Sequence, residues 1–137
     1  MSKYEEMSTI LVHEGYLAEA LEQMGYKPEV HKDGAALYGY RGDERPERAH
    51  LIIRRRQLDS ASNDIGFVRD TSGQYRAVVS DYDRGIGFDH AWLGRVTQAY
   101  KECQTMGVAK ARGYVLQRRS VIQTPRGAKV QLRFAVR

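Results

Sequence analysis

The chain is poor in the residues that mark secretion, membrane insertion or metal chemistry. Cys103 is the only thiol in 137 residues. No internal disulfide can form, and nothing asks for an oxidising compartment. Apolar runs such as residues 10–12 and 51–53 fall far short of the ~20 residues that a membrane-spanning helix needs. The opening Met1-Ser-Lys-Tyr-Glu-Glu6 places two acids where a signal peptide carries its apolar core. These absences lead to the expectation of a cytoplasmic protein.

Catalytic and metal-binding patterns are equally sparse. The histidines, at 13, 31, 50 and 90, are scattered, with no paired spacing for a metal. Asp81, Asp83 and Asp89 resemble part of a calcium loop. Gly85 and Trp92 stand where such a loop needs an oxygen donor and a bidentate Glu. Turn-closing and capping explain the same aspartates. Ser80, Asp81 and His90 can be drawn as a triad, and Asp64 with Asp81 as a carboxylate pair, but spacing alone fixes neither geometry. Arg84-Gly-Ile-Gly-Phe88 lacks the full dinucleotide or P-loop spacing. The expectation is no metal, no cofactor and no catalytic constellation.

What is present is an ordinary globular composition, 42% hydrophobic and 28% charged, in a length suited to one α+β domain over residues 1–137. Residues 7–12 favour a strand. Leu17, Leu21 and Met24 then mark one helical face, closed by Gly25. Short strands are expected over residues 29–32 and 36–40 around an Asp33-Gly34 turn, and residues 41–48 read as a charged loop. Residues 49–56 form a further strand, with Leu51, Ile53 and Arg55 on one side and Ile52, Arg54 and Arg56 on the other. Residues 64–69 and 75–81 read as a hairpin.

Asp89 is placed to cap a second helix whose seam is Leu93, Val96, Tyr100 and Cys103. Gly107 is expected to bend or interrupt it, and Gly113 to end it. The last two strands, residues 114–123 and 128–136, flank Thr124-Pro-Arg-Gly127. In the second, Val130, Leu132, Phe134 and Val136 alternate with Lys129, Gln131, Arg133 and Arg137. The expected order is β-α-β-β-β-β-β-α-β-β, a single mostly antiparallel sheet with two helices packed on one face.

The charge is the most informative feature. The net is +5 and the bases divide into sixteen Arg and six Lys, a bias toward anionic partners because guanidinium pairs with carboxylate and phosphate. Arg54, Arg56, Arg118, Arg119 and Arg133, with Arg137, form a patch if their strands adjoin. Tyr38, Tyr40, Tyr75 and Tyr114 add faces on which bases can stack. The alternative is a solvated sheet face whose arginine stems cover apolar neighbours.

Several segments together carry a family resemblance. They are Met7-Ser-Thr-Ile10, residues 17–26 with the Met-Gly-Tyr ending, Gly39-Tyr-Arg-Gly42, residues 49–55 and Asp64-Ile-Gly-Phe67. Residues 75–81, Gln98-Ala-Tyr100, Arg112-Gly-Tyr114 and residues 130–136 complete the set. In order and spacing the chain resembles the family of hypothetical chloroplast reading frame thirty-five, a domain of unknown function. It departs from many members after Asp81, where Tyr82-Asp83 replaces an aromatic pair. The resemblance implies an intracellular setting and transfers no catalytic residue. It also implies an accessory role beside an ATPase of the AAA type.

The residues therefore favour a non-enzymatic binding module that engages a protein through a basic sheet face and loops. Arg54, Arg56, Arg118, Arg119, Arg133, Tyr40 and Tyr75 are the candidate contacts. The alternative is nucleic-acid or nucleotide binding through the same groups. The C-terminal hairpin edge is also open to homodimerisation by strand pairing.

Overall fold

The computed structural model describes residues 2–136. The elements along the chain are β1 (Tyr4–Ser8), α1 (Glu14–Gln23), β2 (Glu29–Tyr38), β3 (Glu44–Ile53), a 3-10 turn (Arg55–Gln57), β4 (Ile65–Arg69), β5 (Tyr75–Ser80), α2 (Asp81–Gly85), α3 (His90–Ala111), β6 (Tyr114–Thr124) and β7 (Gly127–Val136). Two compact units divide the chain, residues 1–100 and 101–137. The class is α+β, with a five-stranded antiparallel sheet in the order β1-β5-β4-β3-β2 and a separate two-stranded sheet, β6-β7.

In the first unit the sheet register puts Met7, Ala77, Phe67 and Leu51 in one row. Trp92, at the start of α3, touches Phe67 at 6.3 Å between ring centroids and Tyr26, just beyond α1, at 6.2 Å. The helices meet again where the Tyr100 hydroxyl accepts the backbone N–H groups of Val12 and His13. Leu17, Leu21, Leu93 and Val96 are buried beneath them. Two amphipathic helices thus close one apolar face, as their 3.6-residue periodicity requires.

The opposite face holds Tyr4, Leu37, Ala49, Ile52 and Val78. The β2–β3 pairing shifts register between Val30 and Ala35 and again between Ala36 and Tyr38, and Leu37 and Ala49 pack against Gly66 on this face. The approach is close: a Cβ on Gly66 would lie 2.6 Å from the Ala49 Cβ and 3.1 Å from both Leu37 methyls. Only glycine fits there.

Several boundaries differ from the sequence reading, each for a local reason. The expected Asp33-Gly34 turn is an irregularity inside one continuous β2, with Gly34 at φ 82°, because a glycine bulge accommodates positive φ without ending a strand. The middle of the chain therefore holds four strands rather than five. The actual turn is residues 39–43, closed by Gly39 N–H donating to the Asp43 carbonyl at 2.8 Å, so most of the expected loop 41–48 belongs to β3. The first strand lies earlier than expected, at Tyr4–Ser8. Helix α3 runs unbroken through Gly107, since the roughly 1 kcal/mol that a helical glycine costs does not break a 22-residue helix.

The single expected sheet is two because β6 and β7 pair only with each other. Their register runs from Tyr114↔Val136 to Thr124↔Gly127, with one bulge between Leu116 and Arg118.

Candidate functional site

The first expected site, Arg54 with Arg56, is built around a buried carboxylate. Asp64 is 1% exposed. Its Oδ2 accepts from Tyr38 N–H at 2.8 Å and from Arg54 Nη1 at 2.9 Å, and its Oδ1 accepts from Arg55 N–H at 2.7 Å. Arg54 also donates to the Ala36 carbonyl and to Glu29 Oε1, and its guanidinium lies over the Tyr38 ring. Glu29 in turn meets His31 Nε2 at 2.8 Å. The Arg54 hydrogen bond, reinforced by that of His31, lowers the Glu29 pKa to about 2. Glu29 and Asp64 hold the Arg54 proton more tightly than usual. Arg54 is thus a strut joining β2, β3 and the start of β4, and not a free ligand group.

The turn that Asp64 imposes at Arg55 ends β3 at Ile53, so the side-to-side alternation expected through Arg56 stops there. Arg55 and Arg56 side chains have no hydrogen-bond or ion-pair partner among the described residues. They border a shallow depression of about 400 Å³ with Glu29, Tyr38, Arg54 and Asp64. Its two carboxylates oppose an anion, and Arg54 already covers one face of Tyr38.

A second polar knot joins residues 59–64 to α2. Ser80 Oγ accepts from Asp83 N–H, capping α2, and donates to Asp83 Oδ2 at 2.6 Å. Asn63 donates to that same carboxylate and to Ser80. The Tyr4 hydroxyl donates to the Asp64 carbonyl at 2.7 Å, and burial raises its pKa. Ser80 is therefore engaged by Asp83 rather than Asp81. Asp81 Oδ1 accepts from the Lys3 and Tyr82 N–H groups, and His90 is exposed. The triad drawn from the sequence is not assembled.

The aromatic candidates separate. Tyr75 is 1% exposed, its pKa raised by burial, so it packs in the core and offers no face to a base. Tyr40 is half-buried, with Arg41 over its ring. It lines a different hollow, with Ser2, Ala61, Asp81 and Tyr82.

The remaining candidates, Arg118, Arg119 and Arg133, lie on the β6–β7 ribbon in the other sheet. Their strands do not pair with the strand that ends before Arg54, so the strand adjacency on which a shared patch was expected to rest is absent. Arg137 lies outside the described residues. Within the second unit, Arg119 Nε donates to both carboxylate oxygens of Glu102 of α3 at 3.1 Å. Its row, with Leu132, Val130 and Phe134, is partly covered.

The other row is open. Arg118 stands directly opposite Arg133, and Ile122 opposite Lys129, with Val115 farther along. These side chains are exposed, and Arg118, Lys129 and Arg133 have no ion-pair partner among the described residues. Arg118 and Arg133 border a groove of about 600 Å³ with Ser120, Ile122 and Gln131.

The sequence reading missed how unevenly charge is distributed. Residues 101–137 hold nine Lys or Arg and a single acid, a net of +8, so residues 1–100 carry a net of −3 within the chain's total of +5. Counting charge by segment rather than over the whole chain reveals it.

The model of the family described as "Protein of unknown function (DUF1257)" matches residues 20–126, in keeping with the resemblance to an uncharacterised family. No curated protein and no solved structure matches the chain. No helix among the described residues is long and apolar enough to cross a membrane.

Proposed function

We propose that this chain, which belongs to the DUF1257 family of unknown function, is a cytoplasmic binding module whose β6–β7 ribbon docks on a protein partner. One observation carries the reading. The ribbon, residues 114–136, contains five bases and no acid, and it exposes Val115, Leu116, Val121 and Ile122 among them.

A solvated surface ordinarily mixes both signs of charge. A two-stranded sheet on its own is at best marginally stable in water, and large exposed apolar groups clustered among bases mark an interaction surface. The apolar residues favour a protein whose matching surface is acidic and partly apolar. Binding rather than catalysis fits the first unit too, since its buried carboxylates are committed to holding strands together.

A photoreactive residue in place of exposed Gln131, beside Arg133 and Lys129, tests this in native lysate. The reading expects a crosslink to protein that disappears with Arg118→Glu/Arg133→Glu. Absence of any protein crosslink would remove it.

Unopposed positive charge also supports nucleic-acid binding as a second reading. If Arg118, Lys129 and Arg133 neutralise phosphates, log affinity falls with log salt at a slope of about −3. Affinity that ignores salt rules this reading out.

A further inference from the structure

Resting on the reading of the ribbon as a docking surface, we propose that its occupant is a second copy of this chain. The open basic row of each ribbon lies on the acidic surface around α1 of the other copy, and the exchange is reciprocal. Residues 4–26 hold five Glu and no Lys or Arg, the converse of the ribbon. Glu5 and Glu6 are already paired with Arg84 and Arg76. Glu14, Glu19 and Glu22 are exposed and have no ion-pair partner among the described residues.

Two further features of this surface match the ribbon. Ile10 and Val12, immediately before α1, are 57% and 49% exposed, more than any other large apolar side chain among the described residues of the first unit. Acid and apolar groups therefore occur together here, as base and apolar groups do on the ribbon. Helix α1 also has no base in its last turn, where Glu22 instead faces the negative end of the helix dipole. That arrangement is unfavourable in an isolated chain and is relieved by guanidinium groups arriving from outside. A reciprocal exchange uses both surfaces of both copies and closes the assembly, whereas a one-sided contact leaves one of each exposed at the ends of an open chain.

The full chain is tested by sedimentation at low and high salt, across the concentrations at which it stays soluble. The expected species at low salt has twice the 15.6 kDa chain mass, and it weakens as salt screens the contact. Arg118→Glu/Arg133→Glu and Glu19→Lys/Glu22→Lys each raise the dissociation constant at least about tenfold, because like charges then face each other. Mixing the two variants in equal amounts restores the dimer, since each reversed surface meets its reversed complement. All four positions are exposed and have no ion-pair partner among the described residues, so both variants keep the circular dichroism of the parent.

A monomer at every concentration and salt overturns the second copy as occupant. So does a dimer indifferent to either reversal, or a mixture that fails to reassociate. If Gln131 then crosslinks to other proteins, the docking reading stands without this occupant. If it crosslinks to no protein, both fall, and nucleic acid captured at Gln131 assigns the ribbon to the second reading.

Discussion

Replacing Asp64 with alanine tests whether Arg54 is a strut. The carboxylate accepts two backbone N–H groups and one guanidinium N–H, at 2.7 to 2.9 Å, in a site that excludes almost all solvent. Alanine leaves the two backbone N–H groups without a partner and removes one of the two carboxylates that hold Arg54, which keeps Glu29 and the Ala36 carbonyl. Each unpaired backbone donor costs roughly 1–3 kcal/mol before water re-enters, and the lost charge-assisted bond to Arg54 adds to the two of them, so the total is about 3–5 kcal/mol. At about 4 °C per kcal/mol for a chain of this size, the melting temperature falls by about 12–20 °C. Asp64→Asn keeps one acceptor oxygen and loses about half as much. Urea unfolding followed by circular dichroism, with an unchanged slope, reads the difference directly. A loss below about 1 kcal/mol for Asp64→Ala would refute the reasoning and return Arg54 to the free, ligand-facing groups.

Three other perturbations probe the same framework. Gly66→Ala sets a methyl 2.6 Å from the Ala49 Cβ, so thermal unfolding should show a loss of about 1–3 kcal/mol, and parent-like stability would contradict the close approach. Ser80→Ala removes both the α2 cap and a donor to buried Asp83, which should cost about 1–3 kcal/mol by urea titration. Glu29 has its carboxyl pKa lowered from 4.5 to about 2 by Arg54 and His31. The stability this gives is fully present above the unfolded value and is lost as pH falls from about 4.5 toward 2. Glu29→Gln should flatten that part of the stability profile, and an unchanged acid limb would show that the pair contributes nothing.

The helices were the most legible part of the fold. Leu17 with Leu21, and Leu93 through Cys103, repeat at helical spacing and are buried, because an apolar stripe on a helix has only one way to leave water. Asp89 and Gly25 end their helices as expected, Asp89 Oδ1 accepting the Ala91 and Trp92 N–H groups and Gly25 taking φ 97°.

Strand limits were less legible. Residues 29–38 contain a glycine whose positive φ fits a turn or a bulge equally well, and only the partner strand decides. The role of Arg54 was hidden for a similar reason. Its partners Glu29 and Asp64 lie 25 and 10 residues away in sequence, and no local pattern announces such a pair. Tyr75 misled because an aromatic residue in a strand has the same signature whether it faces solvent or the core. The C-terminal alternation separated a partly covered row, Val130, Leu132 and Phe134, from an exposed basic one, but Val136, expected in the covered row, is 77% exposed at the end of the strand. It could not show that these strands form a sheet of their own.

If the 114–136 ribbon is incomplete without a partner, amide hydrogen exchange on dilute purified protein will show it. The account predicts that ribbon amides exchange much faster than those of β4 and β5, and slow as protein concentration rises and second copies cover them. Ribbon amides as protected as the five-stranded sheet at every concentration would contradict it.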